Sequence, residues 1–179
     1  MNDLKIKVMK KINVLLVLIL GIVLMGFKQQ DPAAIIQKVY HDNLKEIMMA
    51  TFAKDKLSTD ELKNYATILI QDHEAMGDEL TQFANELSVD LSGIKIDESK
   101  MPLDSLQALP AGQIDAWFKA KAIESHEKTI SYFNSVIADE SVDNEKLKGW
   151  MKAKLPNLNS HLMAAQGLKI PEQALNIQQ

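Results

Sequence analysis

Residues 62–87 read LKNYATILIQDHEAMGDELTQFANEL. Within this stretch Leu62, Ala66, Leu69, His73, Met76, Leu80, Phe83 and Leu87 recur at alternating spacings of four and three. Such a series places them on one stripe of a single long helix, with the His73 imidazole in the apolar seam. A ring nitrogen in that position needs a partner, because burying it unpaired costs roughly 1–3 kcal/mol. Two further stripes carry a histidine in the same way. One runs Ile123, His126, Ile130, Phe133, Ile137, and the other runs Leu147, Met151, Lys154, Leu158, His161, Ala165, Leu168.

Boundary signals divide the chain into four helices. Asp31-Pro32 reads as an N-cap followed by an N1 proline, opening a first helix that runs to Ala53. Its apolar residues fall as Ile36, Tyr40, Leu44 and Ile47 on one face, with Val39, Glu46 and Ala50 beside it. Ser58-x-x-Glu61 has the form of a capping box, so the second helix is expected over Thr59–Leu87. Ser88–Gly112 contains Gly93, Pro102, Pro110 and Gly112 and reads as a long connection with a short helix at Leu103–Leu109. A connection of that length suits a crossover running the height of a bundle, as in ferritin-like folds. The third helix is expected over Gln113–Ala138. The fourth runs from a cap at Asp143 to Gln166, stopped by Gly167 and Pro171, with Pro156 inside it. The fold class is therefore all-α, a four-helix bundle with a long connection between helices 2 and 3.

Ahead of the bundle, Lys5, Lys7, Lys10 and Lys11 precede the almost wholly apolar Ile12–Phe27. This is the layout of a secretory signal. These sixteen residues span about 24 Å as a helix, short of the ~30 Å hydrocarbon core, so a cleaved signal is favoured over a membrane anchor. The organisation is then 1–27 as signal peptide or signal anchor, 28–168 as the bundle domain and 169–179 as a C-terminal tail. Location follows as periplasmic or exported, the alternative being an inner-membrane anchor facing the periplasm.

Composition narrows the chemistry. All 20 basic residues are lysines, and beyond residue 26 there are 16 of them against 23 acids. An acidic body without arginine argues against nucleic-acid recognition. With no cysteine, disulfides, thiolate metal sites and cysteine nucleophiles are excluded. Neither a Gly-rich phosphate loop nor a nucleophile elbow nor a His-Glu-x-x-His motif occurs. His41 reads as a surface residue, and Trp117, Phe118, Tyr132, Phe133 and Trp150 as packing.

What chemistry remains lies at mid-height. At 1.5 Å per residue, Glu46, His73 and His126 each lie about 20 Å into their helices, and His161 about 27 Å. In helices of ~40 Å these four can meet in one layer whichever way each helix points. Three imidazoles and a carboxylate suit one divalent zinc, iron, manganese or copper ion. Asp72 and Glu127 adjoin the histidines in sequence but diverge from them by ~100° on the helix, which leaves both unassigned as supporting partners. A ferritin-type di-metal centre is disfavoured: Ile70, Ile123 and Leu158 stand three residues before the histidines, where such centres carry glutamates. The competing reading is a hydrogen-bonded polar layer that fixes helix register.

Several landmarks in combination are Glu46, Leu62-Lys63-Asn64-Tyr65-Ala66, Asp72-His73, Ile114-Asp115-x-x-Phe118 with His126, and Leu155-Pro156-x-Leu158-x-x-His161-Leu162. Over Lys38–Leu168 this pattern resembles an exported bacterial domain-of-unknown-function family with a ferritin-like bundle, often labelled "outer membrane protein". Ile114 stands where that family's pattern leads one to expect phenylalanine. The resemblance implies export and a bundle, and it implies no activity. Two functions follow from the residues: a non-enzymatic binding module of the cell envelope, with an envelope protein as the kind of partner expected, or a metal store or oxidoreductase built on Glu46, His73, His126 and His161. Membrane contact is expected only through residues 12–27, if they are retained. Intact-mass measurement on natively expressed protein should show a chain beginning near Phe27. A mass that retains the apolar segment, found in the membrane fraction, would instead indicate the anchored form.

Overall fold

The structure is a computed structural model that describes residues 31–97 and 109–171. Among these residues there are four α-helices and no strand: α1 (Pro32–Lys54), α2 (Asp60–Glu86), α3 (Ala111–Ala138) and α4 (Glu145–Gly167). The apolar segment Ile12–Phe27 and most of the expected Leu103–Leu109 helix lie outside the described residues. No described helix is long and apolar enough to cross a membrane.

Caps fix the ends close to where the sequence puts them, with two corrections. Asp31 accepts from Ala33 N–H at 2.9 Å, as its place before Pro32 requires. At α2 the cap is Thr59, whose hydroxyl accepts from Leu62 N–H at 3.3 Å. Ser58 is drawn away from a capping box by Asp115, a fully buried carboxylate that takes the Ser58 N–H at 2.9 Å and its hydroxyl as well. A buried carboxylate needs donors more than a helix end does. At α4 the cap is Asn144 rather than Asp143, accepting from Leu147 N–H at 2.9 Å. α2 ends with Ser88 in the left-handed region (φ 55°), its N–H on Asn85 and that of Val89 on Ala84, the Schellman arrangement without its usual glycine.

Contacts between ends give the topology. Ser58 and Asp115 join the starts of α2 and α3, so those two helices run parallel. Lys119 donates to the Leu168 carbonyl at 2.6 Å, and Lys146 pairs with Glu86, so α4 runs antiparallel to both. α1 pairs closely with α2 and α3 with α4, while α1 meets α3 more sparsely.

The buried residues form two apolar clusters separated by a polar layer. One cluster holds Ile36, Val39, Met76, Leu80, Phe133, Val136, Met151 and Leu158. The other holds Met49, Leu62, Tyr65, Leu69, Phe118, Ala122 and Ala165. Between them, in chain order on all four helices, lie buried Asn43, Glu46, His73, His126 and His161. The α2 stripe is inward as expected down to Phe83, but Leu87 is exposed. On α3 the inward line passes through Phe118, Ala122, His126, Phe133 and Val136. Ile123, Ile130 and Ile137 are rotated to its flank and only partly covered. On α1 the inward face is that of Val39, Glu46 and Ala50, while Tyr40, Leu44 and Ile47 are half-buried. Leu69→Ala should therefore destabilise by roughly 2–5 kcal/mol and Ile130→Ala by under about 2 kcal/mol in denaturant melts.

Candidate functional site

The three histidines expected to meet do meet. His73 on α2, His126 on α3 and His161 on α4 have ring centroids 5.6 Å (73–126), 5.6 Å (73–161) and 5.3 Å (126–161) apart. One nitrogen from each ring lies within 4.8 Å of the other two. Glu46 is not among those mutually close ligand atoms, although it is buried and lines the same cavity as His73. His41 lies outside the layer, partly exposed and 3.5 Å from Asp42.

The outer nitrogen of each ring is held by an oxygen, and this decides where its proton sits. Asn43 donates its Nδ2 to the His73 carbonyl at 2.8 Å, which turns the amide oxygen to the ring, and His73 Nδ1–H donates to it at 2.8 Å. Gly77, one turn beyond His73, leaves room for this side chain: a Cβ there would make a tight contact of 3.2 Å with Asn43 Nδ2. His126 Nδ1–H donates to the Ala122 carbonyl one turn back, at 2.8 Å. His161 Nε2–H donates to Asp72 Oδ2 at 2.8 Å, and Asn157 donates to the same oxygen at 3.0 Å. Neutral rings so held keep their lone pairs on His73 Nε2, His126 Nε2 and His161 Nδ1. Two of these face each other at 3.2 Å, and His73 Nε2 has no hydrogen-bond partner in the chain.

Asp72 is thus a supporting residue of His161 across the helix interface, although it adjoins His73 in sequence. Glu127 is exposed and takes no part. The sequence reading missed Asn43. Its signal is the spacing Val39, Asn43, Glu46, Ala50, a polar pair on an inward helical face. Tyr65 adds a further tie, donating its hydroxyl to the His161 carbonyl at 3.0 Å.

Between α1 and α3 a cavity of about 560 Å³ opens at the surface, with Glu46, His73, Met49, Met76, Phe133 and Leu158 among its lining residues, all of them buried. Lys38 over the Tyr132 ring (4.5 Å) and the edge contact of Phe52 with Trp117 (6.1 Å) join α1 and α3 beside it. Glu46 Oε2 has no hydrogen-bond partner in the chain.

Burial dominates the electrostatics. It pushes Glu46 up to about 7, the Ser125 hydroxyl opposing and the Asp42 charge adding to it. Burial, then the neighbouring imidazoles, hold His73 down at about 3, against a small opposing pull from Asp72. Burial likewise depresses His126 to about 4, against its bond to Ala122. At Asp72 desolvation is outweighed by the bonds from Asn157 and His161, and the carboxyl titrates below its usual range. Between about pH 4.5 and 6.5 the unfolded chain therefore binds protons on two imidazoles that the folded chain leaves bare, while folded Glu46 holds one that the unfolded chain has lost. The balance is one proton in favour of the unfolded state, so chelator-treated protein should gain about 1.4 kcal/mol of stability per pH unit rising through this window. Glu46→Gln removes the opposing proton. It should roughly double that slope and stabilise the protein at pH 8 by on the order of 3 kcal/mol, measured by urea melts across pH.

No curated protein and no solved structure matches the chain. Residues 26–168 match the family described as "Domain of unknown function (DUF4142)". The match takes in all four helices and every residue of the buried polar layer, and the chain belongs to that family.

Proposed function

We propose that this protein is a binding module whose ligand is one divalent transition-metal ion, held by His73, His126 and His161 in the middle of the bundle. The observation that carries this reading is the fixed direction of three lone pairs. Asn43, the Ala122 carbonyl and Asp72 each take the outer proton of one ring, as supporting groups do for metal-ligating histidines. The 3.2 Å between His126 Nε2 and His161 Nδ1 is close to the ~3.3 Å separating two nitrogens bound at 2.0–2.1 Å to a tetrahedral ion. Three neutral nitrogens without thiolate suit zinc, copper or iron(II) better than the oxygen-seeking magnesium or calcium. Glu46 or a small molecule in the adjoining cavity supplies a further donor.

A second reading has one observation in its favour. With an additional proton on His161, the same 3.2 Å contact is a direct hydrogen bond to His126, and the layer serves only to set register. That reading leaves His73 Nε2 buried and unpartnered. The signal-like N-terminus, ahead of a bundle we read as ferritin-like, supports export to the cell envelope. No residue is assigned a catalytic role.

Thermal melts of untagged protein decide between the two. After chelation, zinc, copper, iron(II) or manganese should raise the melting temperature in a concentration-dependent way, corresponding to about 2.7 kcal/mol at a hundredfold excess over Kd. His126→Ala should abolish the increment, and Asp72→Asn should weaken metal affinity roughly 10–100-fold. Affinity should fall as pH drops through the imidazole range, since bound nitrogens must be deprotonated. No shift with any of these metals would overturn the metal reading in favour of the structural layer.

A further inference from the structure

We propose that Tyr65 is a positioning residue of the metal site: its hydroxyl fixes the backbone of residue 161, and through it the direction of the His161 Nδ1 lone pair. The role rests on the metal reading and deepens it by naming what holds that ligand in place.

Tyr65, Asp72, Glu79 and Glu86 stand seven residues apart on α2. A seven-residue repeat stays on one stripe of an α-helix, drifting by only ~20° per repeat. Among the described residues, every hydrogen bond between α2 and α4 falls on this stripe. Lys146 pairs with Glu86. Trp150 Nε1–H and the Lys154 ammonium donate to the two oxygens of Glu79, at 2.9 and 2.6 Å. Asn157 and His161 donate to Asp72, and Tyr65 donates to the His161 carbonyl. The backbones of α2 and α4 come close at few points, so this polar ladder is what ties the two helices directly.

The rungs are not equivalent. Glu86 and Glu79 are 54% and 45% exposed, and exposed ion pairs contribute little and are screened by salt. Asp72 is 39% exposed, so water competes for its oxygens. Tyr65 is 5% exposed and uncharged, and its ring packs edge-on against Phe118 of α3 at 5.9 Å. Of the four rungs, the Tyr65 bond is the buried one, and it reaches the backbone of the residue whose ring the next rung holds. α2 therefore grips residue 161 at two points, the carbonyl through Tyr65 and Nε2 through Asp72. Asp72 alone fixes one ring atom and leaves the ring free to pivot about that bond. Holding the backbone as well removes this freedom. A metal ligand has to stay within about 0.5 Å of its place, so the second point matters to binding as well as to folding.

The test is uptake of cobalt(II), whose visible absorption reports ligand geometry, by chelator-treated, untagged protein, with zinc affinity measured by chelator competition. Tyr65→Phe removes one oxygen and keeps the ring against Phe118. It should lower zinc affinity about tenfold, the low end of the loss expected for an outer partner, and alter the visible spectrum of the cobalt-loaded protein. Phe83→Leu, in the core near the other end of α2, should lower the melting temperature while leaving affinity and spectrum as in the wild type. Wild-type affinity and spectrum in Tyr65→Phe would overturn the positioning role and leave the metal reading standing. An equal loss of affinity in Phe83→Leu would also overturn it, since affinity would then follow overall stability. If wild-type protein takes up neither cobalt nor zinc, the metal reading falls and the role of Tyr65 with it.

Discussion

Three imidazoles brought together in the centre of a helical bundle, each held from its far side by an oxygen, are the constraint on which the rest of the structure depends. Each ring is turned by an acceptor on its far side: an amide oxygen from α1, a backbone carbonyl within α3 and a carboxylate from α2. The arrangement needs all four helices at one height. Polar atoms buried here without partners would cost more than the helices gain from local propensity, so the layer sets their relative register. Two apolar clusters above and below it supply the burial that offsets that cost.

The same layer explains why the packing is uneven. α1 and α2 are drawn together by the double link of Asn43 to His73, and Gly77 permits the approach. α3 and α4 are joined by the contact of His126 with His161. Between α1 and α3 the link at mid-height is the hydrogen bond of the Ser125 hydroxyl to Glu46, whose Oε2 is left buried without a partner in the chain. The acidic groups that could make the centre a two-metal oxidase are absent from the positions beside the histidines, which hold Ile70, Ile123 and Leu158.

Much of this was legible in the chain. Alternating spacings of four and three on α2 placed Leu62 through Phe83 inward. Asp31-Pro32 marked the start of α1, and counting residues at 1.5 Å each brought His73, His126 and His161 to one height. These features are local: periodicity, caps and rise per residue depend on a helix alone. The faces of α1 and α3 were less legible, because each carries apolar residues on two adjacent stripes. Which stripe turns inward depends on the neighbour it meets. Leu87 and Ile130 follow the pattern of their helices, yet Leu87 is exposed at a helix end and Ile130 lies on a flank.

By itself, then, the sequence determined four helices, their approximate ends, a parallel return between α2 and α3 and a histidine layer. Only the tertiary structure decided how that layer is wired. Ser58 leaves a capping box for Asp115, 57 positions away, and Asp72 supports His161, 89 positions away, rather than its neighbour His73. Asn43 becomes the residue that orients His73 from a different helix. Proton positions on imidazoles are set by whichever oxygen lies within hydrogen-bonding distance in space. Distance in space between helices is fixed by packing, which no spacing along one helix encodes.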